Sequence, residues 1–337
     1  MTAVADLTQT TQAPESLQAA DFDAQLEAYR RELTGYCYRM LGSAFEADDA
    51  VQETMLRAWR SAASFEGRSS LRSWLYRIAT NVCLDMLDAR KRRARPMDLR
   101  PAQSADTPLP RPLLEETWIE PIPDGLVLPI PADPAEAALA RESIRLALMA
   151  TLQHLPPKQR AVLILREVLR WQASEVAELL DTSVAAVNSA LQRARETLGN
   201  EQLSLEGSQP ELDEAGRELL ARYVQAFESY DMDALTALLH EDATWNMPPY
   251  DLWLQTHEDI VKWCLGPGIG CHGSRLVPIE VNGTQGYAQY KPAADGRLEP
   301  WSIQVVEIEG GRISGLTFFL DTQRFFPLWG LPAFLEE

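Results

Sequence analysis

The sequence predicts a multidomain chain in which two all-α blocks are followed by an α+β domain. Apolar residues recur at helical spacing in residues 24–95 and again in residues 138–200, and they alternate at strand spacing beyond residue 275. Residues 96–137 contain ten prolines and separate the two helical blocks. A chain of 337 residues is long enough for two or three such domains.

Three apolar stripes predict three helices in the first block. They run through residues 29–41, 50–59 and 71–86. Ser69 or Ser70 can cap the third helix, because a serine hydroxyl accepts a free N–H of the first turn. The third helix leads into a basic cluster composed of Arg90, Lys91, Arg92, Arg93 and Arg95.

The second block has the pattern of a helix-turn-helix. Pro156 and Pro157 start one helix, and a short helix follows at residues 174–180. A turn at Asp181 then leads to a capping Ser183. The last helix carries a predicted core stripe of Val184, Val187, Leu191, Ala194 and Leu198.

The remaining segments divide the chain further. Residues 1–22 are expected to be a disordered leader, residues 96–137 an acidic linker without helix or central strand, and residues 201–212 a second linker. The helical domains then span residues 23–95 and 138–200. Apolar residues inside the first linker indicate that part of it lies in a groove on this protein or on a partner; they are Trp118, Ile119, Leu126, Val127, Leu128 and Ile130.

The C-terminal domain, residues 213–337, has helical stripes near residues 219–239 and then four alternating segments. These segments predict strands at Leu276–Val281, Gly286–Tyr290, Trp301–Ile308 and Ile313–Leu320. The tail, residues 318–337, is rich in Phe, Trp, Leu and Pro. We expect it to pack onto the helical domains or across the mouth of a pocket.

Charge and cysteine content limit the function classes. The net charge is −18, but the acid is concentrated in residues 201–337, which hold 8 basic and 22 acidic residues, whereas residues 21–95 hold 13 and 11. The helical blocks can therefore meet phosphates locally. Four cysteines are too few for a disulfide framework, and no signal peptide or apolar stretch of membrane-spanning length is present, so we expect a cytoplasmic protein without membrane contact.

Two motifs carry a resemblance to a known family. The segments DDAVQETMLRAWR (48–60) and LRSWLYRIATNVCLDMLDARKRR (71–93) resemble region 2 of extracytoplasmic-function sigma factors, and residues 155–198 resemble their region 4. Residues 219–249 are similar to SnoaL-like domains of the NTF2 superfamily. The resemblance implies two all-α sigma domains, a region 2 helical bundle and a region 4 helix-turn-helix, followed by an NTF2-like cone-shaped domain that regulates the sigma factor.

The resemblance also implies the partners. They are promoter DNA and core RNA polymerase, which region 2 contacts at the β′ clamp helices and region 4 at the β flap. The outward face of the 48–60 helix would grip the clamp helices, with an ordinary solvated face as the alternative. This face consists of Asp49, Gln52, Glu53, Leu56, Arg57 and Arg60.

The −10 promoter element would be read by the helix at residues 71–93 and the loop before it. Tyr76 is the candidate for stacking on an unpaired base and Trp74 is expected in the core, while Asn81 falls where the family reads a flipped base. The basic cluster is interpreted as a phosphate contact, with a solvated helix end as the alternative. The predicted −10 residues are Arg72, Tyr76, Arg77, Asn81, Arg90, Lys91, Arg92 and Arg93.

The −35 element would be read by the last helix of the second block. Asn and Gln suit adenine, and the N-terminal part of such a helix reaches base edges. Many relatives carry arginine at the positions of Asn188 and Ala190, so the −35 sequence is expected to differ or to bind less tightly. The predicted −35 residues are Ser183, Ala185, Asn188, Ser189, Gln192 and Arg193.

The C-terminal domain offers a candidate pocket for a small-molecule ligand, formed by His240, Asp242, Trp245, Asn246, Tyr250 and His257. Further apolar lining is expected from Trp253, Trp263, Trp301 and Phe318. An enzyme acting on a small hydrophobic molecule through Asp242 and His257 is the alternative function, and a repressor that works without polymerase is a third. No catalytic residue, metal or cofactor is assigned. The acidic domain could also cover the basic DNA-facing surfaces or repel DNA.

Overall fold

The computed structural model describes residues 22–62, 65, 69–88, 92–128, 134–198 and 213–336. The expected leader up to residue 21, the expected linker 201–212, and Arg90 and Lys91 of the basic cluster lie outside the described residues. Across these ranges, no helix combines the length and the apolar character needed to cross a lipid bilayer.

The first helical block is built from α1 (Arg30–Leu41), α2 (Ala44–Ser61) and α3 (Leu71–Leu87), and residues 22–27 form a further helical segment before α1. α1 ends at Gly42, whose φ of 75° suits glycine at a helix C-terminus. Ser43 caps α2, and Ser70, one of the two predicted residues, caps α3 by accepting the N–H of Ser73. The three apolar stripes meet in a core that includes the fully buried Tyr36.

The proline-rich linker contains short helices, so the expectation that no helix forms there is wrong. They are α4 (Pro96–Leu99), α5 (Asp124–Val127) and the first part of α6 (Pro134–Glu142), with a 3-10 turn at Glu115–Thr117. Two of these helices begin with proline. Proline lacks a backbone N–H, but the N–H of the first helical residue has no acceptor within the helix, so no hydrogen bond is lost. Trp118, Ile119 and Val127 are buried and Leu128 is partly buried, whereas Leu126 is exposed and Ile130 lies outside the described residues. This confirms that part of the linker lies in a groove on this protein.

The second helical block contains α7 (Leu146–Gln153), α8 (Pro157–Leu163), α9 (Ala173–Leu179) and α10 (Val184–Leu198), and a π-helical segment, Ile164–Val168, continues α8. Asp181 turns the chain with a φ of 49°, and Ser183 accepts the N–H of Ala186 at 3.1 Å. The predicted core stripe is buried from Val187 onwards. Val184 is 44% exposed because it is the first residue of the helix, so its place in the stripe was wrong.

The C-terminal domain is α+β, as predicted. Its helices are α11 (Glu214–Glu228), α12 (Met232–Ala237), α13 (His257–Leu265) and the short α14 (Thr322–Phe325), with 3-10 turns at Ile269–Cys271 and Phe326–Trp329. Its strands are β1 (Leu239–Asn246), β2 (Trp253–Leu254), β3 (Arg275–Val281), β4 (Thr284–Pro292), β5 (Leu298–Glu309) and β6 (Arg312–Phe319). The strand order is β2-β1-β6-β5-β4-β3, with β1 parallel to β6 and the other pairs antiparallel.

Both faces of this sheet are covered. Tyr287 and Leu316 belong to an apolar core that the sheet shares with α11, α12 and α13. Ala288 and Ile303 belong to the other large apolar cluster, which also contains the cores of both helical blocks. The C-terminal domain therefore packs directly onto the rest of the chain.

The C-terminal tail also packs onto the helical blocks. Phe325 and Phe326 are buried in the cluster of the helical blocks, and the ring of Phe325 lies 6.1 Å from that of Phe45 in α2. The guanidinium of Arg324 lies 4.3 Å from the centre of the Phe45 ring. The expectation that the tail packs onto the helical domains is confirmed.

The turn between β3 and β4 connects the C-terminal domain to three distant segments. Asn282 and Gly283 adopt φ values of 51° and 74°, as a tight hairpin turn requires. The amide nitrogen of Asn282 donates to the Tyr38 hydroxyl at 2.6 Å and to the Ile144 carbonyl at 2.8 Å. Its amide oxygen accepts the N–H of Ile122 at 3.1 Å. One buried side chain thus joins α1, the linker and the second block.

We expect Gly283→Ala to loosen this connection. A Cβ at Gly283 would lie 2.2 Å from the carbonyl oxygen of Arg141, where backbone must move. Together with the left-handed φ, this should lower the free energy of unfolding by roughly 3–5 kcal/mol, measured by urea titration. Gly296→Ala is the control, because Gly296 also has a positive φ but no atom within 4 Å of a Cβ. If the free energy of unfolding decreased equally in the two variants, the close contact between Gly283 and Arg141 would not be the cause.

Asp124 should make stability depend on pH. Its carboxylate accepts the N–H of Gly283 at 2.8 Å, and burial raises its pKa from 3.8 to about 6. Because the folded-state pKa is the higher one, the protonated form stabilises the fold below pH 4, and this contribution is lost as the pH rises through 6.

Asp124→Asn should therefore raise the free energy of unfolding at pH 7 by about 2–3 kcal/mol and change it little at pH 4. Denaturant titrations at both values measure this difference, with the exposed Glu136→Gln as the control. A gain that is the same at both pH values would rule out the titration of Asp124 as its source.

Candidate polymerase and promoter interfaces

The outer face of α2 is open to solvent. Asp49, Gln52, Leu56 and Arg60 are exposed, and Glu53 and Arg57 are partly exposed. Arg57 pairs with Glu53 at 2.6 Å within the helix. The structure therefore brings all six predicted polymerase-binding residues to one accessible surface.

Trp59 belongs to this surface and was misplaced in the predicted core stripe. Its side chain is 59% exposed, and that of Leu56 is 42% exposed. The two residues are three positions apart and so neighbours on one face of the helix. That spacing was visible in the sequence, but the stripe was extended past Ala58, which is the last buried residue of α2.

Tyr76 is not available for stacking on a base, which corrects the prediction. It is fully buried, its hydroxyl donates to Glu32 at 2.9 Å, and its ring lies 5.1 Å from that of Tyr36. Burial raises its pKa well above the usual value. Trp74 was expected in the core but is only partly buried, with its ring 4.8 Å from that of Phe65. α3 is therefore rotated relative to the predicted orientation.

The second helical block covers the predicted −10 surface of α3. The ring of Trp171 lies 5.0 Å from that of Tyr76 and 5.1 Å from the guanidinium of Arg72. Arg72 also pairs with Glu32. Arg77 is exposed but donates to the Glu178 carbonyl in α9 at 2.7 Å. Asn81 alone among the described α3 candidates is exposed without a contact of this kind.

The described part of the basic cluster has two different environments. Arg92 is exposed, and its guanidinium lies 2.9 Å from Nδ1 of His154. Arg93 is 6% exposed and pairs with Glu46 at 2.8 Å, so its predicted phosphate contact is wrong. Burial lowers its pKa. Arg93 serves an internal ion network instead.

That network extends through the linker to the tail. Glu120 is 2% exposed; it accepts from Ser43 and pairs with Arg324 at 3.1 Å and Arg93 at 3.9 Å. Burial raises the pKa of Glu120, while the two arginines lower it. The network links α2, the linker and α14 through groups removed from water.

The outer face of α10 is free. Ser183, Ala185, Asn188, Ser189, Gln192 and Arg193 are all exposed. Gln192 donates to Glu196 at 2.9 Å, and Arg195 pairs with Glu167 at 2.8 Å. The described part of the acidic C-terminal domain does not cover this face of α10, so the expected covering is wrong for this surface. Repulsion of DNA by the acidic domain stays a prediction.

The C-terminal domain instead holds the linker. Asp251 pairs with Arg100, and the Trp253 carbonyl accepts the N–H of Gln103 at 2.9 Å. Asp259 of α13 accepts the N–H of Ala105 at 2.8 Å, which lowers the pKa of this carboxyl. We call these contacts, together with the ion pair of Lys262 and Asp106 at 2.5 Å and the bond from the Leu113 N–H to the Pro249 carbonyl, the linker clamp.

The predicted pocket is assembled only in part. A cavity of about 40 Å³ lies inside the C-terminal domain, and of the six predicted residues only Trp245 lines it. His240 and Asp242 are exposed, and His257 is partly exposed. They lie together on the surface, where Nε2 of His257 is 2.8 Å from the His240 carbonyl.

The other two predicted residues lie outside the cavity lining. Asn246 is buried and donates to the Leu316 carbonyl at 3.3 Å, and Tyr250 is partly buried. Trp263, Trp301 and Phe318 line the cavity as predicted, whereas Trp253 does not. The sequence reasoning missed the other lining residues, which are Phe227, Tyr230, Met232, Met247, Cys264, Gly268, Cys271, Gln289 and Leu320. Alternation along β4 could have indicated Gln289.

Comparisons with known proteins agree with this architecture. The family model for Sigma-70 region 2 matches residues 26–93, that for Sigma-70 region 4 matches residues 145–198, and that for the SnoaL-like domain matches residues 220–316. The crystal structure of the extracytoplasmic function sigma factor SigJ from Mycobacterium tuberculosis superimposes with a TM-score of 0.60 at 27% identity, covering 90% of this chain and 97% of that one.

The similarity extends along nearly the whole sequence. The chain is 46% identical over 326 residues to the ECF RNA polymerase sigma factor SigG of Mycobacterium tuberculosis, which covers 95% of this chain and 86% of the relative. It is 28% identical over 315 residues to SigJ of the same species, covering 90% and 92%. The chain belongs to the extracytoplasmic-function RNA polymerase sigma factors and carries a SnoaL-like domain behind region 4.

Proposed function

We propose that this sigma factor rests in a closed state, in which region 4 covers the −10 surface and the SnoaL-like domain holds the linker. The observation that carries the proposal is the position of Trp171 against Arg72 and Tyr76. Core RNA polymerase would bind the open face of α2 first, and promoter reading would follow the release of region 4 and the linker.

The exposed face of α2 has the composition of a protein interface. Leu56 and Trp59 provide an apolar centre, and the charged residues around them provide a polar rim. Tryptophan is enriched among the residues that dominate binding energies at such centres. We assign this face to the β′ clamp helices, and we add Trp59 to the six predicted residues.

The closed −10 surface needs region 4 to move before single-stranded DNA can bind. Aromatic contact and cation–π contact hold Trp171 in place, each contributing on the order of 1 kcal/mol. These two contacts are weak enough for polymerase binding to break them. Asn81 and Arg77 would then meet the −10 element.

The −35 surface requires no such release. Asn188 and Gln192 stand on the open face of α10, where amides can pair with adenine edges. Region 4 in the closed state thus presents duplex-reading residues while it covers the single-strand-reading residues. Duplex contact at −35 and contact with the β flap can precede opening at −10.

The linker clamp gives the SnoaL-like domain its regulatory role. In a sigma factor the linker must span the distance between region 2 and region 4 on the polymerase. Here residues 100–113 of the linker are bound to the loop before β2, to β2 and to α13 by backbone hydrogen bonds and ion pairs. Release of these contacts would allow the two DNA-reading domains to separate.

In vitro transcription with purified core polymerase tests the function. The full chain should direct specific transcripts from fragments of the genome that encodes it, and core polymerase alone should not. Folded protein that binds polymerase without yielding any specific transcript would contradict promoter recognition by this chain. Turnover of a lipophilic ketone by the SnoaL-like domain would instead favour an enzyme.

We expect Leu56→Ala combined with Trp59→Ala to weaken binding of core polymerase by at least about 30-fold, because two central apolar residues typically contribute more than 2 kcal/mol together. Fluorescence anisotropy with labelled full-length protein measures the affinity. Leu265→Ala is the control, since Leu265 is equally exposed, at 56%, but lies on α13. Unchanged affinity in the double variant would exclude this face as the polymerase site.

We expect Trp171→Ala to favour the open state. Loss of its contacts with Tyr76 and Arg72 should raise the open population by roughly 5- to 100-fold, corresponding to about 1–3 kcal/mol. Amide hydrogen exchange along α3 should accelerate by this factor, and transcript yield at limiting polymerase should rise. Val184→Ala, in the same block but exposed, is the control. Unaltered exchange along α3 would mean that Trp171 does not hold region 4 in place.

A further inference from the structure

Two thiols line the cavity of the SnoaL-like domain and have no part in the sigma function described above. Cys264 lies at the end of α13, and Cys271 lies seven residues later in the 3-10 turn Ile269–Cys271. Cys264 is 5% exposed, whereas Cys271 is partly exposed. A small molecule that enters from solvent therefore meets Cys271 first.

Burial raises the pKa of the Cys271 thiol, and its neighbours oppose this increase. The carboxamide of Gln289, the ammonium of Lys291 and the indole of Trp301 each lower the pKa. The ammonium of Lys291 lies 3.7 Å from the centre of the Trp301 ring, so its charge is held at this wall of the domain. Cys264 lacks such partners, and burial raises its pKa to about 12. Cys271 is the better nucleophile of the pair.

The size of the cavity limits what can reach the thiols. Its volume of about 40 Å³ exceeds the ~10–15 Å³ that a single water requires, but it is far below the ~300 Å³ of a site for a drug-sized ligand. Its walls are mostly apolar and include Phe227, Trp245 and Phe318. A hydroperoxide with two oxygen atoms fits this space, and a bulky disulfide such as oxidised glutathione does not.

The segment between the thiols is mechanically connected to the linker clamp. The hydroxyl of Tyr230 lies 2.8 Å from the carbonyl oxygens of both Cys264 and Gly268, which fixes the segment in its present conformation. Cys264 belongs to α13, the helix that also presents Asp259 and Lys262 to the linker. A covalent change at the end of α13 must therefore alter the helix that holds the linker.

We propose that Cys271 and Cys264 are a hydroperoxide-oxidised thiol pair whose disulfide weakens the linker clamp. The Cys271 thiolate attacks one peroxide oxygen; an S–O bond forms, the O–O bond breaks, and the hydroxide that leaves takes a proton to become water. The Cys264 sulfur then attacks the sulfur of the sulfenic acid; an S–S bond forms, the S–O bond breaks, and a second water leaves with the Cys264 proton. The two thiols together lose two electrons, which reduce hydrogen peroxide to two waters.

The experiment treats the full chain with hydrogen peroxide and has two readouts that need no polymerase. Mass spectrometry of non-reduced peptides should find the Cys264–Cys271 disulfide, and dimedone should label Cys271 in Cys264→Ser but not Cys264 in Cys271→Ser. Cys37 and Cys83 serve as the internal control, because both are fully buried in the first helical block. The Cys264→Ser, Cys271→Ser double variant controls for oxidation elsewhere.

The second readout is chymotryptic cleavage after Leu113, an exposed linker residue whose N–H belongs to the linker clamp. Peroxide should raise the cleavage rate by roughly 5-fold or more, the usual scale of coupling between sites, and dithiothreitol should restore the original rate. The double variant should not respond. This inference rests on the linker clamp of the proposed function, but both readouts are made on the free chain, so their failure is distinct from a failure of transcription. Absence of the disulfide, or a disulfide that leaves the cleavage rate unchanged, would overturn the proposal.

Discussion

The amide of Asn282 is the contact on which the closed arrangement of the chain depends. It uses its oxygen and both of its hydrogens to reach the linker, α1 and the segment before α7, and it is fully buried. A buried amide that loses a partner costs about 1–3 kcal/mol for each unsatisfied group. The neighbouring Gly283 allows the turn to approach Arg141 closely. The hairpin therefore fits only when region 2, the linker and region 4 are all in place, so the three segments are coupled.

The buried ion network contributes more to the specificity of this arrangement than to its stability. Arg93, Glu120 and Arg324 form a network at the junction of region 2, the linker and the tail, and burial opposes the ionised state of both Arg93 and Glu120. Removing charges from water offsets much of their attraction, whereas leaving one of them without its partner is costly. The position of the tail is therefore determined by Arg324 as well as by Phe325 and Phe326. A partly opened chain that separates these charges must rehydrate all of them.

The sequence predicted the architecture because each element has a strong local signal. Apolar spacing identified α3 and the stripe from Val187 to Leu198, and alternation identified the strands of the sheet. The individual site residues were harder, since they depend on how a helix is rotated and on what covers it. Tyr76 and Trp74 both fit the apolar pattern of α3, and only the packing of Tyr36 and Trp171 against Tyr76 decides between them. Arg93 looked like a phosphate ligand because its acidic partners are distant in sequence.

The sheet that is buried on both faces restricts how such a chain can be switched on. The face that carries Ala288 and Ile303 continues the apolar core of the helical blocks. Complete departure of the SnoaL-like domain would expose that core to water, and contiguous apolar surface of this kind leads to aggregation. A chain that ends after region 4 is therefore not equivalent to an activated factor. It would lack the restraint by the SnoaL-like domain, but it would also expose this apolar surface. A local release of the linker clamp, by contrast, would leave this face of the sheet buried.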